Sequence, residues 1–246
     1  MVSGGALRLG VLGEIAAWRG AEPLDIGHAR QRHVLGALLL EPGTAVPGEE
    51  LARRVWGARP PRGTSALHGY VSRLRRALAG GGADIVRDRA GYRLEAEAGP
   101  AAVDVCRFRA LAVRAGAAER DEEAAALWDE ALGQWRGEAF AGADAPWFRA
   151  QRERLAAERL AARLDAADVA LRLGRQGPLL DELAARAVDH PLDERMAGQL
   201  ILALHREGRH AEARASFERV RLRLAEELGL DPGPALRRLG ERLANA

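Results

Sequence analysis

The chain has 246 residues, of which 48% are hydrophobic, so it can bury one large core or two smaller ones. All 37 basic residues are Arg, because the sequence contains no Lys, and this excludes a Walker A phosphate loop and a Schiff-base enzyme. The net charge is only +2, but residues 1–98 hold 14 Arg against 10 acidic residues, whereas residues 99–246 hold 23 against 25.

The sequence carries no sign of secretion or membrane insertion. Its single cysteine, Cys106, has no partner for an intramolecular disulfide, and Arg8, Glu14 and Arg19 interrupt the stretch where a signal peptide would be apolar. No apolar run approaches the roughly 18 residues of a membrane span. We therefore expect a cytoplasmic protein with no membrane partner.

The first 63 residues predict a small antiparallel sheet followed by two helices. The predicted β-like segments are Leu7–Leu12, Ile15–Trp18 and Leu24–Ile26, with a turn at Gly20–Pro23 before the last. A helix follows after Gly27 and continues through Leu40, a second runs from about Gly48 to Gly57, and a loop covers Arg59–Gly63. The loop follows from its two prolines, which cannot continue a helix.

A third helix is predicted from Thr64 to Leu78, with Thr64 or Ser65 as its N-cap. Its apolar residues recur at spacings of four, three and four, at Leu67, Val71, Leu74 and Leu78. The opposite face holds Ser65, Gly69, Ser72, Arg73 and Arg76, with His68 and Arg75 on its flank. Arg can bond guanine edges or phosphate, and Gly lets the backbone approach closely, which suits the major groove of duplex DNA. An ordinary solvated Arg-rich face is the alternative.

Residues 84–94 predict a β-hairpin, because two short β-like runs flank a polar tip. Arg87 and Arg89 lie on this wing, where an Arg can enter the minor groove or pair with phosphate. Asp88 lies between them and would repel phosphate, so which wing Arg contacts DNA stays open. Residues 59–93 hold eight Arg against two acids, a local excess of six positive charges.

These motifs together resemble the OmpR-type winged-helix domain. The resemblance is carried by Leu51, Val55-Trp56-Gly57, Tyr70-Val71-Ser72-Arg73-Leu74-Arg75-Arg76-Ala77-Leu78 and Gly91-Tyr92-Arg93-Leu94. It implies that Arg73 faces the bases and that Arg75 and Arg76 hold phosphate. Trp56 would lie near the DNA backbone, but it could equally be a core aromatic. The predicted DNA-binding residues are Trp56, Arg62, Thr64, Ser65, His68, Gly69, Ser72, Arg73, Arg75, Arg76, Arg87 and Arg89.

Beyond Ala98-Gly99-Pro100 the pattern is almost wholly helical, so we predict domains at 1–98 and 99–246. The first predicted helix carries Val103 to Ala112, and the second runs from Glu122 to Trp135. The tripeptides that start at Gly174 and Gly208 lie 34 residues apart, which is the tetratricopeptide period. Stacked helical hairpins would form an α-solenoid whose concave surface takes a protein or peptide. A purely structural or dimerising appendage is the alternative.

The second domain resembles the bacterial transcriptional activation domain. The motifs are Trp135-Arg136-Gly137, Pro191-Leu192-Asp193-Glu194-Arg195, Leu204-His205-Arg206-Glu207-Gly208-Arg209 and Leu228–Leu236. Joined to an OmpR-type domain, this is the layout of the Streptomyces antibiotic regulatory protein family, and the match covers nearly the whole chain. The expected fold is mainly α with a small β component: a winged helix-turn-helix, then an all-α tetratricopeptide-like domain. Because no ATPase module follows, the chain resembles the small stand-alone form.

The resemblance implies a sequence-specific transcriptional activator that binds direct repeats in double-stranded DNA at promoters of a secondary-metabolite cluster. It would recruit RNA polymerase, often through the sigma factor, bind DNA as a homodimer and associate with the nucleoid. Two alternatives remain: a tetratricopeptide-like interaction scaffold without DNA binding, and a repressor with the same DNA-binding mode.

No pattern indicates catalysis or metal binding. His28 and His33, and likewise His205 and His210, are five residues apart and miss the spacing that places two ligands on one helix face. The four Ser lie outside any G-x-S-x-G motif, and the segment around Cys106 shows no activating partner. We predict no enzyme activity, no cofactor and no metal.

Overall fold

The structure, a computed structural model, describes residues 6–58 and 65–244. The chain forms two compact units, one of Met1–Arg114 with Asp129–Leu160 and the other of Ala115–Trp128 with Ala161–Ala246. The predicted domain boundary after residue 98 stays a prediction. No helix in the described ranges is long and apolar enough to cross a membrane.

An antiparallel three-stranded sheet opens the first unit, with β1 at Leu7–Gly10, β2 at Ala16–Arg19 and β3 at Glu22–Pro23. The predicted third strand at residues 24–26 is wrong, because β3 lies within the predicted turn. There Pro23 pairs with Trp18. A proline fits because β3 is the edge strand of this sheet, where a missing N–H removes no ladder bond.

Three helices and a hairpin follow. They are α1 (Ala29–Leu39), α2 (Gly48–Trp56), α3 (Ser65–Leu78), β4 (Ala83–Arg87) and β5 (Tyr92–Ala96). The stripe predicted on α3 is confirmed, since Leu67, Val71, Leu74 and Leu78 are all buried. Each buried leucine of this stripe contributes about 1.5 to 3 kcal/mol. Because α1 packs against both α2 and α3, the stripe fixes which face of α3 stays exposed.

The hairpin forms backbone hydrogen bonds with the segment between α1 and α2. The Val46 N–H donates to the Tyr92 carbonyl oxygen, and the Tyr92 N–H donates to the Val46 carbonyl oxygen, both over 2.8 Å. Gly91 precedes this contact with φ +139°, and a Cβ there would collide with the Val46 carbonyl. Only glycine therefore lets the two backbones approach so closely.

We predict that Gly91→Ala lowers the free energy of unfolding by about 2 to 3 kcal/mol, because it adds backbone strain and separates Tyr92 from Val46. Urea unfolding measures the loss, and hydrogen exchange should show the Val46 and Tyr92 amides less protected. Gly80→Ala is the matched control: Gly80 also has positive φ but open space around a Cβ, so it should cost only about 1 kcal/mol. Equal losses for both variants would contradict the prediction.

The rest of the chain is helical. Its elements are α4 (Asp104–Ala117), α5 (Asp121–Leu132), α6 (Pro146–Arg172), α7 (Leu180–Asp189), α8 (Glu194–Arg206), α9 (His210–Arg223) and α10 (Pro234–Ala244). The predicted helix end at Trp135 is wrong, since α5 ends before Gly133 and Trp135 packs edge-on against Phe108, with 5.4 Å between ring centroids. The predicted fold class, mainly α with small sheets, is confirmed.

A buried carboxylate ties α4 to the N-terminal sheet within the first unit. Asp104 is 8% exposed, and its oxygens accept hydrogen bonds from the amides of Val11 and Leu12 over 2.9 to 3.0 Å. Arg136 also donates to it over 3.2 Å. Burial raises the pKa of the Asp104 carboxyl, and the amides and Arg136 offset part of that rise.

The 34-residue repeat of the second unit corresponds to two identical helix endings. Gly174 and Gly208 both have positive φ, at 69° and 75°. Each glycine N–H donates to the carbonyl three residues back, and the next N–H donates five residues back. This is the left-handed helix cap that glycine favours. Each cap is followed by another helix, and α8 packs against α7, α9 and α10.

Candidate nucleic-acid interface

The exposed face of α3 carries most of the residues predicted to bind DNA. Ser65, His68, Ser72, Arg73, Arg75 and Arg76 are exposed, and Gly69 is half-buried. Arg62 and Thr64 lie outside the described residues. Because the buried stripe holds the helix from the other side, the cationic and small residues face solvent together.

Arg73 is held by two neighbours from different parts of the first unit. Its Nε donates to the Gln31 side-chain oxygen of α1 over 3.0 Å, and its guanidinium lies 5.0 Å from the ring centroid of Tyr70. The Nη1 and Nη2 groups have no hydrogen-bond partner among the described residues. Both are therefore free to donate, which is the geometry that Arg uses against a guanine edge.

Tyr70 is the centre of an aromatic cluster beside this face. Its ring lies 6.0 Å from Trp56 and 5.3 Å, edge-on, from His28. Trp56 is half-buried, so part of its ring lies against Tyr70 and part faces solvent. Neither Tyr70 nor Gln31 was predicted to support Arg73. The three-residue spacing of Tyr70 and Arg73 was a usable signal, because such residues are neighbours on a helix, whereas nothing local pointed to Gln31.

The wing is coupled to α3 by side chains that were predicted to contact DNA. The Arg87 guanidinium lies 3.0 Å from Nε2 of His68 and 5.4 Å from the ring centroid of Tyr92. Arg75 Nε donates to the Ile85 carbonyl oxygen on β4 over 2.7 Å. These contacts fix the angle between helix and wing. The Asp84 carboxylate lies 3.6 Å from the same Nε, and the Nη groups of Arg75 have no hydrogen-bond partner among the described residues.

The Asp88 carboxylate, which was predicted to repel phosphate, is hydrogen-bonded and ion-paired within the wing. It accepts hydrogen bonds from the amides of Ala90 and Gly91 and pairs with Arg93, which also pairs with Glu95. The Ala90 amide, more than the Arg93 pair, holds the pKa of the Asp88 carboxyl below its usual value. Arg89 is exposed and has no partner within residues 6–58 and 65–244. The tip therefore presents Arg89 as its free cation.

Two segments of the chain match known protein families. Residues 26–94 match the family model described as "Transcriptional regulatory protein, C terminal", and residues 103–244 match "Bacterial transcriptional activator domain". Regulatory protein DnrI of Streptomyces peucetius is 32% identical over 254 residues, which cover 98% of this chain and 93% of DnrI. The chain belongs to the Streptomyces antibiotic regulatory protein family. The resemblance drawn from the motifs is confirmed.

Other relatives are longer than this chain. Regulatory protein AfsR of Streptomyces coelicolor is 40% identical, over 98% of this chain but only 24% of AfsR. The solved structure of Mycobacterium tuberculosis EmbR in complex with a low-affinity phosphopeptide superposes with a TM-score of 0.86 at 32% identity, over 97% of this chain and 65% of that one. The chain thus spans about a quarter of AfsR.

Both family models that match the chain describe parts of transcriptional regulators. The relatives are named as regulatory proteins and not as enzymes, as the sequence predicted. The match to the regulatory C-terminal model covers α1, α2, α3 and the wing, which are the elements that carry the candidate interface.

Proposed function

We propose that the chain is a transcriptional activator that binds direct repeats in promoter DNA through α3 and the wing. Arg73 carries this proposal, since Gln31 and Tyr70 hold its guanidinium while both Nη groups stay free. In this arrangement α3 enters the major groove with Arg73 toward the bases. Arg75 and Arg76 pair with phosphates, and Arg89 reaches the adjacent backbone or minor groove.

The helical domain, residues 99–246, supplies the contacts to RNA polymerase, including its sigma factor, and the protein binds tandem sites as a homodimer. The match of residues 103–244 to the bacterial transcriptional activator domain supports this division of labour. AfsR and DnrI are both named regulatory proteins, which supports a regulatory role for this chain. We assign the promoters of a secondary-metabolite cluster as its target.

Footprinting on the promoter nearest the gene tests the proposal. Two protected repeats in the same orientation, separated by about one helical turn of DNA, are the expected result. In vitro transcription with purified RNA polymerase then separates an activator from a repressor, because both give the same footprint but opposite transcript levels. Undetectable or salt-insensitive DNA binding would leave a protein-interaction scaffold as the function.

Arg89→Ala should weaken binding to specific and random duplexes alike. Loss of one phosphate contact lowers the slope of log Kd against log salt concentration by about 0.9. Fluorescence anisotropy over a salt series measures it. Arg114→Ala is the control, since Arg114 is also an exposed Arg of the first unit but lies on α4, and its slope should equal that of the unchanged chain. An unchanged slope for Arg89→Ala would exclude Arg89 from the interface.

A further inference from the structure

A groove of about 340 Å³ runs along the second unit between α7 and α9, with α8 as its floor. The floor is apolar, because Ala197, Leu200 and Leu204 recur at helical spacing on α8. Small residues of α7 leave room above it, and Val188 on the α7 wall is 74% exposed. Because Val188 lines the same groove as the apolar residues of α8, it extends their surface, and contiguous apolar surface is typical of a site that binds a partner.

Charge is distributed unevenly along this α7–α9 groove. Since α9 follows α8 through the short turn at Gly208, the start of α9 lies beside the end of α8. There Arg209 pairs with Glu212 over 2.6 Å, and the acidic Asp181 lines the same end, so this end carries no excess of positive charge. At the opposite end Arg219 and Arg223, one helical turn apart, line the groove. Within the described part of the chain neither has a hydrogen-bond or ion-pair partner.

We propose that the α7–α9 groove binds an acidic amphipathic segment of a partner protein. Leucine-sized side chains would pack on Leu200 and Leu204, and carboxylates would pair with Arg219 and Arg223. Two unpaired guanidinium groups beside an apolar floor favour a ligand that carries both carboxylates and apolar side chains. A nucleic-acid strand fits less well, because it would place charged phosphates over the leucines of the floor. This proposal rests on the proposed function in one respect, since both assume that the helical unit binds a partner protein.

Peptide binding by the full chain tests the groove directly. The probe is a fluorescein-labelled amphipathic peptide of about 14 residues with Leu at helical spacing and Glu between, and its counterpart has Gln at every Glu position. In anisotropy titrations the Glu peptide should bind at least about tenfold more tightly than the Gln peptide. This difference should shrink as the salt concentration rises.

Variants of the chain assign the binding to the groove. The double variant Arg219→Gln with Arg223→Gln should weaken the Glu peptide about tenfold and leave the Gln peptide unchanged. Ala184→Trp fills the groove and should weaken both peptides. Arg221→Gln is the matched control, because Arg221 lies on the same helix, pairs with Glu218 and does not line the groove, so neither affinity should change.

Three results would overturn the proposal: equal affinity for the Glu and Gln peptides, an equal loss in Arg221→Gln and in the double variant, or no binding of either peptide. A dimer of the free chain that the double variant dissociates would show that a second copy occupies the groove, which also overturns it. Promoter binding is measured in parallel. A chain that binds the Glu peptide but no promoter DNA refutes the proposed function alone, and the reverse refutes the groove alone.

Discussion

Arg73→Ala should lower affinity for the native operator by about 5- to 150-fold while affinity for random duplex changes little. A bidentate Arg–guanine contact contributes about 1 to 3 kcal/mol of discrimination, which corresponds to this range. The loss is selective because the proposed function assigns base contacts to the free Nη groups of Arg73, whereas the phosphate contacts that it assigns to Arg75 and Arg76 would remain. Anisotropy titrations of both duplexes at one salt concentration measure it.

Two further variants separate the contact from its support. Gln31→Leu keeps Arg73 but removes the acceptor of its Nε–H, so it should reproduce part of the loss on the operator. Arg75→Ala should weaken operator and random duplex by similar factors, because its assigned contact is to phosphate. Equal losses on the two duplexes for Arg73→Ala would remove Arg73 from base recognition.

Periodicity predicted the faces of α3 because helical spacing fixes which side chains share a side. The stripe from Leu67 to Leu78 is buried, and Arg73 and Arg76 are exposed, as the spacing indicates. Hydrophobic spacing cannot say which distant residue meets a given side chain. Gln31 lies 42 positions from Arg73, so their hydrogen bond depends on the packing of α1 against α3.

Local patterns also failed where one residue decides an element's end. The local pattern indicated a strand at residues 24–26. The position of β3 is instead set by the pairing of Pro23 with Trp18, which the local pattern does not show. Likewise Trp135 extended the apolar spacing of α5, but the chain leaves the helix before Gly133, and the indole packs on Phe108 instead. In both cases a tertiary contact outweighed the local pattern.

Asp104→Ala should cost about 3 to 5 kcal/mol of the free energy of unfolding, the largest stability effect that we expect. The variant leaves the buried amides of Val11 and Leu12 without acceptors and removes the carboxylate that pairs with Arg136, which keeps its hydrogen bonds to the Glu14 carbonyl oxygen. No local pattern indicates this role, since Asp104 lies 93 residues from Val11. Urea unfolding followed by circular dichroism measures the loss.

Asp104→Asn is the conservative test of whether charge or hydrogen bonding matters. With its oxygen in the place of Oδ2, the Asn side chain can still accept from the Leu12 amide and from Arg136. Its NH₂ group then faces the amides of Val11 and Val105, so the loss should be intermediate. Asp129→Ala provides the control, because Asp129 is exposed on α5 and should cost at most about 0.5 kcal/mol. If Asp104→Ala cost no more than Asp129→Ala, the carboxylate would not hold α4 to the sheet. If Asp104→Asn matched the unchanged chain, the negative charge opposite Arg136 would contribute nothing to stability.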